Sequence, residues 1–332
     1  MNTDVRLYDV LRARKNVYRH LRPSPLYRYP ALDRATGSQL WIKHENHLPT
    51  GAFKVRGGLN LLASLNEAER RAGVVAASTG NHGLSVAFAA QRYRTRAVIF
   101  VPEGANPTKV AAIELLGAQV IAKGRHYDEA RVAAEAASAE GGRRYIHSGN
   151  EPLLIAGVGT YALEILEENP EIEAIVVPVG GGSGAAGTAV AVKSLAPHIE
   201  VIGVQSEAAP AAYLSWKERR PVDTLPRTFA EGLATGSSFE LPQQILRELL
   251  DDFVLVSEQA LRVAIRLYLE HTHNLAEGAG AAALAAVLSN PDRFARRRVA
   301  VVLSGGNLSP AQLEEVLPAT RHSIPGSAYP GP

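Results

Sequence analysis

The chain has 332 residues, 46% of them apolar by type and 20% charged, which predicts about two globular domains with a core that needs no metal or disulfide to fold. Its 35 Lys and Arg residues against 33 Asp and Glu leave a formal net charge of +2, which argues against nucleic acid as a partner because such surfaces mass basic residues on one face. The absence of cysteine excludes disulfides, a cysteine nucleophile, iron–sulfur clusters and cysteine-based zinc sites, and no apolar run reaches the ~18 residues of a membrane span.

Short β-branched runs alternate with longer helical patterns along the chain. An amphipathic surface helix is expected first, over 5–21. The predicted strands follow at 39–45, 74–78, 97–102, 119–122, 144–147, 174–179, 201–205, 252–256 and 298–303. The helices predicted between them lie at 54–65, 82–93, 108–116, 128–140, 152–168, 184–195, 258–273 and 278–288. Strands separated by helices of this length form βαβ units, so the pattern predicts an α/β protein with mostly parallel sheets.

The chain is expected to divide into two α/β domains. A small domain is placed at 70–150, inserted within a large domain formed by 1–69 and 151–321. The tail 322–332, which contains several Pro and Gly residues, is expected to be disordered. In doubly wound folds, ligands bind at the carboxyl ends of parallel strands, where the next helix begins. Three glycine-containing turns occupy such positions and are the candidate site.

The clearest of these turns is Gly180-Gly181-Gly182-Ser183-Gly184, between a predicted strand and a helix of small residues. Glycines let backbone N–H groups approach an anion closely, and the helix dipole adds partial positive charge. The turn therefore predicts a phosphate-binding loop, and a plain strand-to-helix turn is the alternative. It has neither the Lys-Ser or Lys-Thr of a P-loop nor the spacing of a dinucleotide fingerprint.

A second turn places polar groups at the end of the strand 74–78. Ser78, Thr79, Gly80, Asn81 and His82 bring hydroxyls, an amide, an imidazole and backbone N–H groups to a helix start. Such a group of donors is suited to holding a substrate carboxylate. The alternative is an ordinary helix N-cap made by one of the polar side chains.

Two more residues extend this pattern. Ser304, in the glycine turn after the last predicted strand, offers a hydroxyl to a ring nitrogen. Lys54 follows a glycine turn and Phe53, as a Schiff-base lysine would, and burial together with the nearby Arg56 is expected to lower its pKa. Alone, Ser304 fits a plain glycine turn and Lys54 a solvated surface lysine. Together with the first two turns, they provide what a pyridoxal phosphate enzyme acting on an amino acid needs.

On these motifs the sequence resembles the fold-type II pyridoxal phosphate enzymes, specifically the serine/threonine dehydratase (serine racemase-like) family. The resemblance covers about Pro23 to Leu317, and Ala52 stands where a serine usually precedes the Phe-Lys pair. It implies the tryptophan synthase β-like fold, with two mostly parallel three-layer αβα domains. The implied cofactor contacts are Lys54 as the Schiff-base lysine, Phe53 beside the ring, Asn81 at the 3′-oxygen, Gly180, Gly181, Gly182, Ser183 and Gly184 at the phosphate, Ser304 at the pyridine nitrogen and Glu277 near the ring.

The resemblance also implies an activity. It points to a cytoplasmic, homodimeric ammonia-lyase that converts a β-hydroxy amino acid such as L-threonine or L-serine to a 2-oxo acid and ammonia, with Lys54 and Ser304 as catalytic residues. The alternatives are a racemase of the serine racemase type, which Thr79 disfavours because the racemases carry serine there, or a dehydratase for 3-hydroxyaspartate, phenylserine or a hydroxyectoine-derived substrate. No bound metal is expected, because Gln205 and Ala211 stand where the family has acidic ligands.

Three rival hypotheses stay open on the sequence. A β-replacement synthase is a neighbour within fold type II, but its substrate turn lacks the histidine found here at position 82. A nicotinamide-dependent oxidoreductase would share the glycine turns, although their spacing disfavours it. A catalytically silent binding protein would not be expected to keep Lys54, Asn81 and Ser304.

Overall fold

A computed structural model describes residues 5–78 and 80–317. The strands are β1 (Leu26–Arg28), β2 (Gln39–His44), β3 (Val74–Ala77), β4 (Ala97–Val101), β5 (Gln119–Ala122), β6 (Arg144–Tyr145), β7 (Ala174–Pro178), β8 (Glu200–Ser206), β9 (Asp252–Val256) and β10 (Arg298–Leu303). The helices are α1 (Leu7–Val17), α2 (Pro30–Thr36), α3 (Lys54–Ser64), α4 (Glu67–Ala72), α5 (Asn81–Arg92), α6 (Pro107–Leu115), α7 (Tyr127–Gly141), α8 (Pro152–Val158), α9 (Thr160–Glu168), α10 (Ser183–Leu195), α11 (Ala211–Glu218), α12 (Glu240–Leu249), α13 (Glu258–Thr272), α14 (Gly278–Ser289), α15 (Pro291–Phe294) and α16 (Pro310–Val316).

These strands form two sheets. The larger sheet has the order β1-β2-β10-β7-β8-β9 and is parallel except for β1, which runs antiparallel to β2. The smaller sheet has the order β5-β4-β3-β6 and is parallel throughout. All four strands of the smaller sheet lie between residues 74 and 145, inside the region 70–150 assigned to a small domain, although the domain boundaries themselves stay a prediction.

Both sheets have helices on both faces, because successive side chains of a strand point to opposite sides. In β7, Ile175 and Val177 pack into a core with α8, α9, α10 and α12, whereas Val176 packs into a second core with α13 and α14. In β3, Val74 packs with α3 and α5, and Val75 packs with α7. This arrangement is the expected pair of three-layer αβα units, and it explains why these strands are apolar on both faces.

The structure differs from the predicted elements at several places. The short edge strand β1 and the helices α2, α4, α11, α12, α15 and α16 were not predicted. The helix predicted over 152–168 is two helices, α8 and α9, which meet at Gly159. A Cβ on Gly159 would lie 2.9 Å from the Gly187 carbonyl oxygen, so the break coincides with a close approach to α10. The predicted disordered tail 322–332 lies outside the described residues.

The fold places the candidate turns together. Strands β7, β10 and β3 end directly before the turns that start at Gly180, Ser304 and Ser78, and α3 begins at Lys54. Among the described residues, no helix has the length and apolar character needed to cross a lipid bilayer.

Candidate active site

Lys54 is the first residue of α3 and reaches the predicted phosphate loop. Its Nζ donates to the Ser183 hydroxyl at 2.9 Å and to the Ser148 carbonyl at 3.0 Å. The preceding residue is fixed as well, because the Phe53 N–H donates to the Ser304 carbonyl at 3.0 Å. The structure thus brings Lys54, Ser183 and Ser304, predicted from three separate segments, into one site.

Removal from water lowers the pKa of Lys54 to about 8. The expected contribution of Arg56 to this shift is wrong. The Arg56 side chain points away into a buried ion cluster, where it donates to Glu45 at 2.6 and 2.8 Å and to Glu164 at 2.6 and 2.9 Å. These carboxylates neutralise the guanidinium, so burial alone lowers the pKa of the Lys54 amine.

The glycine loop offers a row of free backbone donors. Among the described residues, the N–H groups of residues 180–185 donate to no protein acceptor. Gly182 adopts φ +89° and caps α10, so the donors converge at the positive end of this helix. The loop also has no room for side chains, since a Cβ on Gly180 would lie 2.1 Å from the Gly232 carbonyl oxygen and one on Gly181 would lie 2.3 Å from the Phe239 ring. Free N–H donors at a helix N-terminus, at positions that only glycine can occupy, are the features expected of an anion site.

Phe53 packs between Lys54 and the start of α10. A Cβ on Gly184 would lie 3.2 Å from the Phe53 ring, and the ring meets Tyr161 edge to face at a centroid distance of 6.3 Å. The Tyr161 hydroxyl donates to the Gly184 carbonyl at 3.0 Å. The aromatic pair therefore holds the first turn of α10 against the turn that carries Lys54.

Asn81 is held from both sides of its amide. Its Nδ2 donates to Glu277 Oε1 at 2.7 Å, and its Oδ1 accepts from Asn307 Nδ2, also at 2.7 Å. Asn307 also donates to the Thr50 carbonyl. Burial raises the pKa of Glu277 to about 7, against the opposing effect of the Asn81 hydrogen bond. Asn81 and Glu277, which sequence reasoning had placed near a cofactor ring, are thus direct neighbours.

Ser304 lies at the carboxyl end of β10 and is 5% exposed. Its carbonyl accepts from Phe53, while its hydroxyl has no hydrogen-bond partner among the described residues. A hydroxyl without a protein partner is available to a ligand atom, as the predicted contact with a ring nitrogen requires.

In the turn after β3, some polar groups form hydrogen bonds within the protein and others have no partner there. The Ser78 hydroxyl accepts from the Gly80 N–H at 3.1 Å and the Gly83 N–H at 2.9 Å, so it caps the turn. His82 Nε2 donates to the Ile146 carbonyl at 3.1 Å, and burial lowers the pKa of the ring to about 3, which leaves it neutral with a bare Nδ1. The Asn81 and His82 N–H groups donate to no acceptor among the described residues. Thr79 lies outside the described residues, and the predicted substrate role of this turn stays a prediction.

Comparison with known proteins agrees with this geometry. The family described as pyridoxal-phosphate dependent enzymes matches residues 17–305. The chain belongs to this family. It is 39% identical over 315 residues to the L-threonine ammonia-lyase of Thermotoga maritima, covering 94% of this chain and 78% of that protein.

Solved structures of a threonine deaminase and a serine racemase have the same fold as this chain. The processed form of threonine deaminase isoform 2 from Solanum lycopersicum superimposes with a TM-score of 0.90 at 33% identity, covering 93% of this chain and 91% of that one. Serine racemase from Dictyostelium discoideum superimposes with a TM-score of 0.87 at 31% identity, covering 92% and 99%. The predicted fold-type II architecture is confirmed, and pyridoxal phosphate is the cofactor of this enzyme.

The residues present fit this cofactor. The free N–H groups of the glycine loop suit its phosphate, the unpartnered Ser304 hydroxyl suits its ring nitrogen, and the Lys54 amine suits its aldehyde. In the part of the chain that the structure describes, no group of three or more His, Asp or Glu side chains is arranged to hold a metal ion. Gln205 stands where the family has an acidic metal ligand, and its Oε1 accepts from the Tyr213 N–H at 3.0 Å.

Sequence reasoning missed two contributors to the site. Ser148, whose carbonyl contacts Lys54, follows the predicted strand 144–147, and its position at a strand end was the one available signal. Phe239 precedes α12 and lies against Gly149 and Gly181, but its segment had no predicted element to point to it.

Proposed function

We propose that this enzyme is an ammonia-lyase that converts a β-hydroxy amino acid such as L-threonine or L-serine to the 2-oxo acid and ammonia. The observation that carries the proposal is the Lys54 amine, whose pKa of about 8 leaves a substantial neutral fraction at physiological pH beside the glycine loop. The resemblance to the Thermotoga maritima ammonia-lyase and the tomato deaminase supports threonine as the substrate.

Bound pyridoxal phosphate supplies an aldehyde for amino groups and a conjugated ring that withdraws electrons from the substrate Cα. The chain supplies the rest. The neutral Lys54 amine takes the Cα proton as general base, and the free N–H groups of the turn at Asn81 and His82 hold the substrate carboxylate. Ser304 would offer the ring nitrogen a neutral hydroxyl rather than a carboxylate, which favours elimination over a long-lived carbanion. Asn81, fixed by Glu277 and Asn307, would use the remaining hydrogen of its amide nitrogen to contact the cofactor oxygen.

Racemisation is the second candidate, favoured by the similarity to the Dictyostelium discoideum serine racemase. It needs a proton donor on the opposite face of the substrate from Lys54, and Thr79 is the residue that the resemblance assigns to this position. A single panel of substrates separates the two activities, because elimination releases ammonia whereas racemisation retains the amino group.

The test uses the purified holoenzyme with both enantiomers of threonine and serine, and with 3-hydroxyaspartate and phenylserine. We expect 2-oxobutanoate and ammonia in equal amounts from L-threonine, and a 2-oxo acid and ammonia from L-serine. Conversion of L-serine to D-serine faster than ammonia release would favour the racemase. No 2-oxo acid from any β-hydroxy amino acid would reject the lyase class.

The cytoplasmic location and the homodimer belong to the same proposal and rest on the resemblance. Light scattering of the holoenzyme tests the dimer, for which a mass near twice that of the chain is expected. A mass near the 35.4 kDa of one chain would contradict it.

A further inference from the structure

The turn from His147 to Asn150 connects β6 to α8 and contacts both Lys54 and the glycine loop. None of its residues was predicted to belong to the site. The Ser148 carbonyl in this turn accepts from Lys54 Nζ at 3.0 Å. Gly149 lies against the cofactor loop, because a Cβ on it would be 2.3 Å from the Phe239 ring and 3.2 Å from the Gly181 carbonyl oxygen. The position of this turn therefore affects the position of the Lys54 amine and of the Phe239 ring that packs on the glycine loop.

The imidazole of His147 holds the turn. Its Nδ1 accepts from the Gly149 N–H at 3.0 Å and from the Asn150 N–H at 2.9 Å. A ring nitrogen that accepts hydrogen bonds carries no proton, so the ring is the neutral tautomer with its hydrogen on Nε2. The ring also meets Phe239 edge to face at a centroid distance of 4.8 Å.

We propose that His147 is a positioning residue for Lys54, because its Nδ1 lone pair fixes the turn whose Ser148 carbonyl orients the lysine amine. A neutral amine has two hydrogens and one lone pair. When the two hydrogens point to Ser148 and Ser183, the lone pair is directed away from both and toward the remaining open side, where a base must present it. This inference rests on the proposed function, in which Lys54 is the base.

The surroundings of the ring keep Nδ1 available as an acceptor. The groups that face it are Lys54 of α3, the neutral His82 of α5, Arg131 and Glu135 of α7, and the Tyr145 ring of β6. Burial and the charges of Lys54 and Arg131 lower the pKa of His147, and Glu135 opposes them. Protonation of Nδ1 would place a hydrogen opposite the Gly149 and Asn150 N–H groups and break both hydrogen bonds. Because the pKa of His147 is lowered, this loss of turnover is expected only on the acid side of neutrality.

Two variants distinguish the role of the Nδ1 acceptor of His147 from that of its aromatic ring. His147→Asn places an amide oxygen close to the Nδ1 position and does not titrate, whereas His147→Phe keeps the ring against Phe239 and has no acceptor. We expect His147→Phe to lower kcat on L-threonine about tenfold or more with a smaller change in KM, and His147→Asn to stay within about threefold of wild type and to lose the acid limb that His147 contributes.

A second readout requires no substrate. The rate at which the full chain without cofactor takes up pyridoxal phosphate, followed by absorbance, reports on the Lys54 amine. Hydrogen exchange of the peptide that spans 147–151 reports on the two N–H groups. Both are expected to change in His147→Phe, with slower uptake and faster exchange, and to stay near wild type in His147→Asn. His198→Phe, at an exposed histidine after α10, is the control for the substitution itself.

The outcomes are distinguishable. If wild type turns over no β-hydroxy amino acid, the proposed function fails, while uptake and exchange still decide the role of His147. If His147→Phe behaves as wild type in uptake and exchange, or if His147→Asn is as impaired as His147→Phe, the acceptor is not what positions Lys54 and the inference is overturned. Circular dichroism of each variant identifies a loss of fold, and His147→Asn then carries the test.

Discussion

Lys43 is buried and Lys54 is half-buried, and the chain surrounds their charges differently. Lys43 is 1% exposed and donates to the Glu164 carboxylate at 2.5 Å. Lys54 donates to two neutral oxygens, the Ser148 carbonyl and the Ser183 hydroxyl. The first lysine is part of a balanced cluster, with Arg56 as the second cation and Glu45 and Glu164 as the two carboxylates.

The difference shows that the partners of a lysine, and not only its burial, decide whether it is a structural cation or a reactive amine. Burial lowers the pKa of Lys43 as well, but Glu164 and Glu45 oppose the shift. No carboxylate opposes it at Lys54, and the pKa falls to about 8. A buried charge that only stabilises the fold is paired, and one that must lose its proton is left without a counter-ion.

The largest expected effect is on turnover when the unpaired amine is removed. Lys54→Ala and Lys54→Arg should each lower kcat by about 10²–10⁴-fold, because neither can act as the general base. Ammonia release from L-threonine measures this, and Lys123→Ala, at an exposed lysine, should keep wild-type turnover. A Lys54→Arg variant with more than about a tenth of the wild-type kcat would show that the amine is not the base.

The next effect is on stability when the paired cluster is unbalanced. Glu164→Gln leaves Arg56 and Lys43 with one carboxylate between them, which should lower the free energy of unfolding by about 3–5 kcal/mol. Glu167→Gln is the matched control on the same helix, since its pair with Arg14 is exposed and should contribute under about 1 kcal/mol. Urea unfolding of both variants measures the difference, and equal losses would contradict the contrast between the two regions.

The smallest expected effect is a change of the free energy of unfolding with pH that arises from the titration of Lys54. Its pKa is about 8 in the folded chain against an ordinary 10.5, so between these values the unfolded chain binds more protons. The free energy of unfolding of the cofactor-free chain should therefore rise with pH across this window through Lys54. Lys54→Met should lack this part of the slope, which unfolding at about pH 8 and about pH 10.5 detects in both proteins. Identical slopes would mean that the pKa of Lys54 is not lowered.

Much of this architecture could be predicted because its signals are local. The nine predicted strands are all present with ends within two residues, since most are short apolar runs bounded by turn residues. Lys54, Ser304 and the glycine loop were identified because each lies at a strand end or helix start, where a doubly wound fold gathers its ligand contacts.

The rest depends on contacts between distant segments. Arg56 was expected to act on Lys54, but its partner Glu164 lies 108 residues away, and no local pattern joins them. Phe239 and Ser148 reach the site only because α12 and the turn after β6 close on the glycine loop. The edge strand β1 is three residues long, too short for a periodic signal.

The central claim is that the Lys54 amine is the group that bonds to the cofactor. Borohydride reduction of the holoenzyme, followed by proteolysis and mass spectrometry, makes that bond permanent and locates it. The pyridoxyl group is expected on Lys54 and on no other lysine. A pyridoxyl group on Lys43, or on any other lysine with Lys54 unmodified, would contradict it.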